Sequence, residues 1–252
     1  MELKLDTYNF RARLAPLLIV ILPAVLAVAV WLPLESEAWK LLGSLGMSAA
    51  LSLLLVQLGR DQGKQKQPQL FDSWGGKPTT RLLRHRDQAI DNHTKARYHR
   101  KLRSLLPDVP MPSPSLEDDA PEKADAAYES CGRYLLEATR DKKRFPLVFD
   151  ANVSYGFRRN LWGMRATGIA NSLVGLISSA SNALHAYTGG SKPTVTSVSA
   201  VAICGLLLTW WILRIKPFWV RLAADAYAER LLAACETLSP PEGGRGSSVI
   251  VP

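Results

Sequence analysis

Cysteine is scarce in this sequence, 3 residues of 252, and histidine nearly so at 4. Three thiols cannot build a disulfide framework, and Cys131, Cys204 and Cys235 lie too far apart for a CxxC redox or zinc motif. The 17 glycines show no collagen period. Also missing are a G-x-S-x-G elbow, an H-E-x-x-H zinc helix and a glycine-rich dinucleotide fingerprint. The stretch GGKPTT fails as a phosphate loop because residue 71 is Phe and Pro78 follows Lys77. These absences remove the common nucleophilic, metallohydrolase and nucleotide-binding classes, and neither a cofactor nor a metal is expected.

Charge is missing over long runs, although the chain carries 31 Lys+Arg against 22 Asp+Glu. Ala15 to Leu34 holds no ionisable side chain, and at about 1.5 Å rise per residue such a helix crosses the ~30 Å hydrocarbon core of a bilayer. Pro23 at its centre is tolerated in lipid because neighbouring helices satisfy the carbonyl it releases. A signal peptide is the competing reading, with Arg11 and Arg13 ahead of the run and Ala27-Val28-Ala29 inside it, but the run is too long for a signal core. A second apolar run, Trp39 to Leu58, follows at once and pairs with the first as a hairpin. Its Ser44, Ser48 and Ser52, with Gly43 and Gly46 beside them, have the small-residue spacing of closely packed membrane helices.

Val198 to Ile215 reads as a further span, ending in Trp210 and Trp211 with Arg214 and Lys216 at the boundary. Its return partner is Ala166 to about Tyr187, uncharged but rich in Ser and Asn. In that segment Gly168, Asn171, Gly175, Ser178, Asn182 and His185 recur at alternating steps of three and four, so they share one helix face. Polar groups at membrane depth face protein or water, so the stripe either lines an aqueous pathway in an oligomer or packs against the Ser44/Ser48/Ser52 ridge.

All Lys and Arg except Lys40 and Lys192 fall before residue 15, within 59–165, or from Arg214 onward. This asymmetry places both termini and the long insert on the cytoplasmic side of an inner (plasma) membrane.

The insert, Gly59 to Arg165, contains 21 basic and 14 acidic residues. Arg81 to Leu106 is expected to be one helix, with Thr80 as its N-cap and Pro107 as its end. Nine cations (Lys77, Arg81, Arg84, Arg86, Lys95, Arg97, Arg100, Lys101, Arg103) face only Asp87 and Asp91 there, a local charge of +7 that calls for an anion: inner-leaflet lipid, a phosphorylated ligand or nucleic acid, of which nucleic acid is the least expected. On a single helix His93 and His99 stand about 240° apart and cannot share an ion.

Residues 107–121 read as a Pro-rich acidic linker without a core. A helix to about Arg140 carries an apolar stripe at Ala124, Ala127, Cys131, Tyr134 and Ala138. A second stripe, at Val220, Ala224, Tyr227, Leu231, Ala234 and Leu238, is expected to pack on it. Between them, Phe149, Val153, Phe157, Leu161 and Met164 mark an amphipathic helix leading into the third span. Phe149, Tyr155, Phe157, Arg158, Arg159 and Trp162 are its candidate coupling residues.

The expected fold is therefore all-α: a multi-pass membrane protein of four transmembrane helices in two hairpins, with a helical cytoplasmic domain built from the central insert and the C-terminal helix. The boundaries are 1–58 for the tail and first hairpin (spans 15–34 and 39–58), 59–165 for the insert and 166–215 for the second hairpin (spans 166–187 and 198–215). Residues 216–252 form a cytoplasmic amphipathic helix and a disordered tail. The expected role is non-enzymatic: the insert binds an anionic ligand or soluble partner and couples it to the membrane helices of a homo-oligomer, with a pore as one outcome. The alternatives are an enzyme acting on phosphorylated lipid or nucleotide through His85, Asp87, Asp91 and His93, and a plain anchor for a soluble protein. In layout alone, two spans, a basic insert and two more spans, the chain resembles the small membrane effectors of bacterial defence systems, a resemblance that implies permeabilisation on a partner's signal.

Overall fold

A computed structural model describes residues 7–32, 57 and 59–240. The second expected span, with Ser44, Ser48 and Ser52, and the tail from residue 241 lie outside the described residues. Among the described residues all regular structure is helical. A π-helical turn, Asn9–Leu14, leads into α1, Ala15–Ala29. There follow α2 (Gln67–Ser73), α3 (Pro78–Leu83), α4 (Asn92–Leu105), α5 (Pro114–Asp119), α6 (Pro121–Ala138), α7 (Pro146–Gly163), α8 (Arg165–Thr188), α9 (Val195–Leu213) and α10 (Pro217–Ala233). The chain divides into two compact units, one of residues 1–70 and 153–223 and the other of residues 71–152 and 224–252.

In unit 1, α8 packs against both α1 and α9. Two helical segments among the described residues, Asn9–Ala29 and Val195–Leu213, are long and apolar enough to cross a membrane. The expected third span is present as a continuous helix, α8, but its Ser and Asn content leaves it below that apolar standard. The core of this unit is a cluster around Leu17, Val20, Leu161, Met164, Trp211 and Trp219. Glycine sets the closest approaches: a Cβ on Gly168 would lie 2.3 Å from the Trp211 ring, and one on Gly175 would lie 2.7 Å from Cys204 Sγ and from the Pro23 carbonyl.

Unit 2 has a conventional apolar core that joins Leu82, Leu83, Leu102, Leu105, Tyr128, Leu135, Leu231, Leu232 and Cys235. The α6 stripe and the later one meet in this core through Tyr227, Leu231, Ala234 and Leu238, whereas Val220 and Ala224 of the later stripe lie outside the cluster; on α6 the buried face runs through Ala124, Tyr128, Cys131 and Leu135, with Tyr134 and Ala138 at its margin. Three local expectations are corrected. The helix starts at Pro78, whose fixed φ suits a first helical position, so Thr80 is a buried interior residue and not a cap. The single helix expected over 81–106 is broken at 84–91, where Arg84 is extended, Asp87 folds back onto the Ala89 amide, and Asp91 caps α4 through the Thr94 amide at 2.9 Å. The expected linker 107–121 contains α5, capped by Ser113, and delivers Glu117 into the core at 3% exposure.

Candidate functional site

The polar stripe of α8 lies against α1. Asn171 Nδ2 donates to the Val20 carbonyl at 2.9 Å, Ser178 Oγ to Ala27 at 2.8 Å and Asn182 Nδ2 to Val30 at 2.9 Å. α1 ends at Ala29, so the carbonyls of Ala27 and Val30 belong to the end of the helix, where acceptors lack an intrahelical donor. Asn182 also accepts from Ser197 of α9 at 2.6 Å, and Trp31 donates its indole N–H to Ser178 at 3.0 Å. Gly175 sits at the closest approach, and the exposed His185 lies 6.3 Å from Trp31, ring to ring. The stripe thus meets α1 through Asn171, Gly175, Ser178 and Asn182, and α9 through Gly168, Gly175 and Asn182. The alternative partner expected for it, the Ser44/Ser48/Ser52 ridge, lies outside the described residues.

The outward faces of α8 and α9 are rich in large apolar side chains. Leu206 is 72% exposed, Ile177 64% and Leu184 61%, whereas Ser172, Ser179 and Ser197 are fully buried. Exposed leucine beside buried serine on these two helices is the reverse of an ordinary water-facing surface.

In unit 2 five of the nine basic candidates are held internally. Arg84 grips Asp125 with two hydrogen bonds, of 2.8 and 2.6 Å, and caps the Gly75 carbonyl at 2.7 Å. The Asp125 carboxylate raises the Arg84 guanidinium above its ordinary range, although burial opposes it. Arg81 bridges Asp87 at 2.6 Å and Asp225 at 2.9 Å. Lys77 pairs with Glu129 and Arg97 with Glu236. Lys95, 3% exposed, donates to the carbonyls of Arg84 and Asp87, and burial holds its ammonium below the ordinary lysine range. The counter-charge expected from outside is thus largely supplied by acids of α6 and α10 and by Glu236. Arg86, Arg100 and Arg103 are exposed and Lys101 half-exposed, with no ion pair among the described residues. Arg100 and Lys101 line an open groove with Arg97, Ser104 and Glu236.

The break at 84–91 also makes a contact that helical geometry forbade. His85 meets His99 edge-on at 4.6 Å, and His99 stacks on Tyr128. Glu117 accepts from the His85 amide at 2.5 Å and from the Tyr128 hydroxyl at 2.9 Å. His99 hydrogen-bonds the Leu83 carbonyl through Nε2 at 2.8 Å, and burial holds it below the ordinary histidine range. The residues of the enzymatic alternative are dispersed: Asp91 caps a helix, His93 is exposed, Asp87 pairs with Arg81, and His85 leans on His99. Among the described residues no three of His, Cys, Asp and Glu gather as a metal site.

Of the coupling candidates, Phe149 and Phe157 are half-buried, as is Trp162. Arg158 donates to the Trp219 carbonyl at 3.0 Å and lies 5.0 Å over that residue's ring. Arg159, only 9% exposed, reaches Gln67 at 3.1 Å and lies over the Tyr155 ring. Burial pushes the Tyr155 phenol up to about 12. Tyr155, Gly156, Arg159, Asn160 and Leu161 are all buried, so this part of α7 is enclosed around most of its circumference and not laid flat on one apolar stripe. No family model, curated protein or solved structure matches the chain.

Proposed function

We propose that the chain is a four-span protein of the inner membrane, with both termini and the insert cytoplasmic, in which unit 2 is a non-enzymatic binding module for an acidic partner or ligand. The observation that carries this reading is the surface of α8 and α9: Ser172, Ser179 and Ser197 are buried and Asn171, Ser178 and Asn182 are half-buried and hydrogen-bonded, while Leu173, Ile177, Leu184, Leu206 and Leu213 are exposed. Hydrocarbon favours that arrangement and water opposes it, because a buried polar stripe joins helices in lipid while an apolar exterior of this extent would aggregate in solution. The positive charge distribution supplies the orientation. Within unit 2, Arg86, Arg100, Lys101 and Arg103 are the cations left to meet a partner, since the other five are engaged internally. The hydrogen bonds from α8 to α1 favour a packing seam over a water-filled pathway.

Sidedness tests the topology. In a background with the three cysteines replaced, Ser191→Cys in the α8–α9 connection is labelled by a membrane-impermeant maleimide in intact cells. Arg103→Cys is labelled only after lysis. The reverse pattern, or release of the protein by alkaline carbonate, overturns the reading.

A further inference from the structure

Three stretches of unit 1 are locked together beside the start of α1: residues 8–13, 59–67 and 155–163. Asn160 Nδ2 donates to the Ala12 carbonyl at 2.7 Å, within the π-helical turn. Lys66 Nζ donates to the Gly163 carbonyl at 2.7 Å. Gly63 and Gly163 meet backbone to backbone, since a Cβ on Gly163 would lie 2.7 Å from Gly63 Cα. Gly59 abuts the Arg13 carbonyl, its Cβ position 3.5 Å away.

This packing gathers Arg13, Arg60, Lys64 and Arg159, four cations within electrostatic reach of one another, with Asp61 the one carboxylate among the described residues that acts on both Arg13 and Lys64. Arg159 is nine-tenths buried, and its hydrogen bonds go to neutral amides, Gln67 at 3.1 Å and Asn160 at 3.3 and 3.4 Å. Arg60 has a buried Nε with no hydrogen-bond acceptor. Lys64 is exposed, and the neighbouring Arg60 holds its ammonium below the ordinary lysine range. A guanidinium cannot escape burial by losing its proton, so a buried arginine among like charges calls for an anion. The part-buried cations Arg81 and Arg84 of unit 2 differ in this respect, because Asp87, Asp225 and Asp125 answer them.

We propose that Arg13, Arg60, Lys64 and Arg159 form a binding site for a phosphate group, with the buried Arg159 at its base and Lys64 at its rim. Paired guanidinium groups suit the tetrahedral, multiply accepting oxygens of a phosphate monoester or diester, and an exposed lysine adds a movable point charge. A phospholipid headgroup and a free phosphate present the same chemistry. The lipid source rests on the topology proposed above, and the phosphate site does not.

The test uses the full-length chain in dodecyl maltoside, titrated separately with dioctanoyl-phosphatidylglycerol, dioctanoyl-phosphatidylcholine and inorganic phosphate, with thermal unfolding as the readout. Phosphatidylglycerol is expected to raise Tm saturably, and phosphatidylcholine, whose choline neutralises its phosphate, is expected to do much less. Arg60→Gln weakens the effect about tenfold and Lys64→Gln about threefold, as loss of charge-assisted hydrogen bonds predicts. Lys64 is on the surface, so Lys64→Gln keeps the test decisive if Arg60→Gln fails to fold. A saturable response to phosphatidylglycerol alone assigns a lipid headgroup, and one to inorganic phosphate assigns a soluble phosphate; both support the site. A chain that proves to be soluble and still binds phosphate through Lys64 refutes the topology and keeps the site. The proposal is overturned if neither probe gives a saturable shift, if Lys64→Gln responds like the unmodified chain, or if the unit 2 variant Arg100→Gln/Lys101→Gln/Arg103→Gln loses as much.

Discussion

Unit 2 keeps most of its leucines inside, and unit 1 turns many of its own outward on α8 and α9. In unit 2 Leu82, Leu102, Leu135 and Leu232 are fully buried, while Arg86, Arg100 and Arg103 lie on the surface. In unit 1 Leu206 and Leu213 face outward, while Ser172, Ser179 and Ser197 are sealed inside. The same residue type therefore has opposite structural weight in the two halves. A leucine is a core residue in one and solvent-facing, in whatever medium surrounds it, in the other. Of the buried serines of unit 1, Ser197 bonds Asn182 of the neighbouring helix and Ser172 bonds the Gly168 carbonyl of its own.

That contrast makes paired substitutions informative. The largest effect is expected for Leu135→Ala, which leaves a cavity in unit 2 and costs about 2–5 kcal/mol, whereas Leu206→Ala on the outside of unit 1 stays within ~0.5 kcal/mol in detergent. Denaturant unfolding measures both, and equal losses would erase the distinction. Next comes Gly168→Leu, which drives a side chain into the Trp211 ring and is expected to cost about 3 kcal/mol; Gly205, whose Cβ position has no neighbour within 4 Å, accepts leucine without loss. Site-resolved alkylation tells which unit has opened. Burial pushes the thiols of Cys131 and Cys235 up to about 11 and about 12, so both stay un-ionised at pH 8 until unit 2 unfolds, and Cys204 reports on unit 1.

Smaller effects probe the polar contacts. Tyr128→Phe removes a donor from the buried Glu117 carboxylate and is expected to destabilise unit 2 by about 1–3 kcal/mol. Asn182→Leu breaks the hydrogen bonds to Val30 and Ser197, for which membrane precedents suggest about 0.6 kcal/mol, and liposomes carrying either form stay impermeable to ions. Stability also depends on pH. Burial depresses the folded pKa of His99, so the unfolded chain binds the extra proton first as pH falls below about 6.5. The His99 contribution is complete above that pH and declines below it, with a slope of at most about 1.4 kcal/mol per pH unit. Replacing His99 with Gln flattens the acid limb of a Tm–pH curve for unit 2.

Much of the helix layout was legible in the sequence. Length and hydropathy located α1, α8 and α9 to within a few residues, because uncharged runs leave few alternatives. The periodicity of Asn171, Ser178 and Asn182 placed them on one face. The break at 84–91 was misread because a run of good helix formers hid a capping signal, Asp91 followed by Thr94 three residues on. Glu117 was missed because an acid in a Pro-rich stretch reads as a solvated linker. Its partners His85 and Tyr128 lie on other elements, and no local pattern joins them. The anions that answer Arg81 and Arg84, Asp225 and Asp125, are likewise remote in sequence. Arg13 and Arg60, by contrast, stand just before and just after the two apolar runs 15–34 and 39–58, so folding those runs as a hairpin would already bring them together.

The core of unit 2 is completed by Ala228, Leu231, Leu232, Cys235 and Leu238, which follow α8 and α9 in the chain. Synthesis therefore delivers α3 to α6 first, then the whole of the second apolar helix pair, and only afterwards the residues that close the earlier core. Until then Leu135 and Leu102 lack part of their packing, and the half-built unit exposes apolar surface. Maturation of unit 2 thus waits on translation of α8 and α9, so a premature stop before residue 228 should disable it even though residues 71–152 are intact.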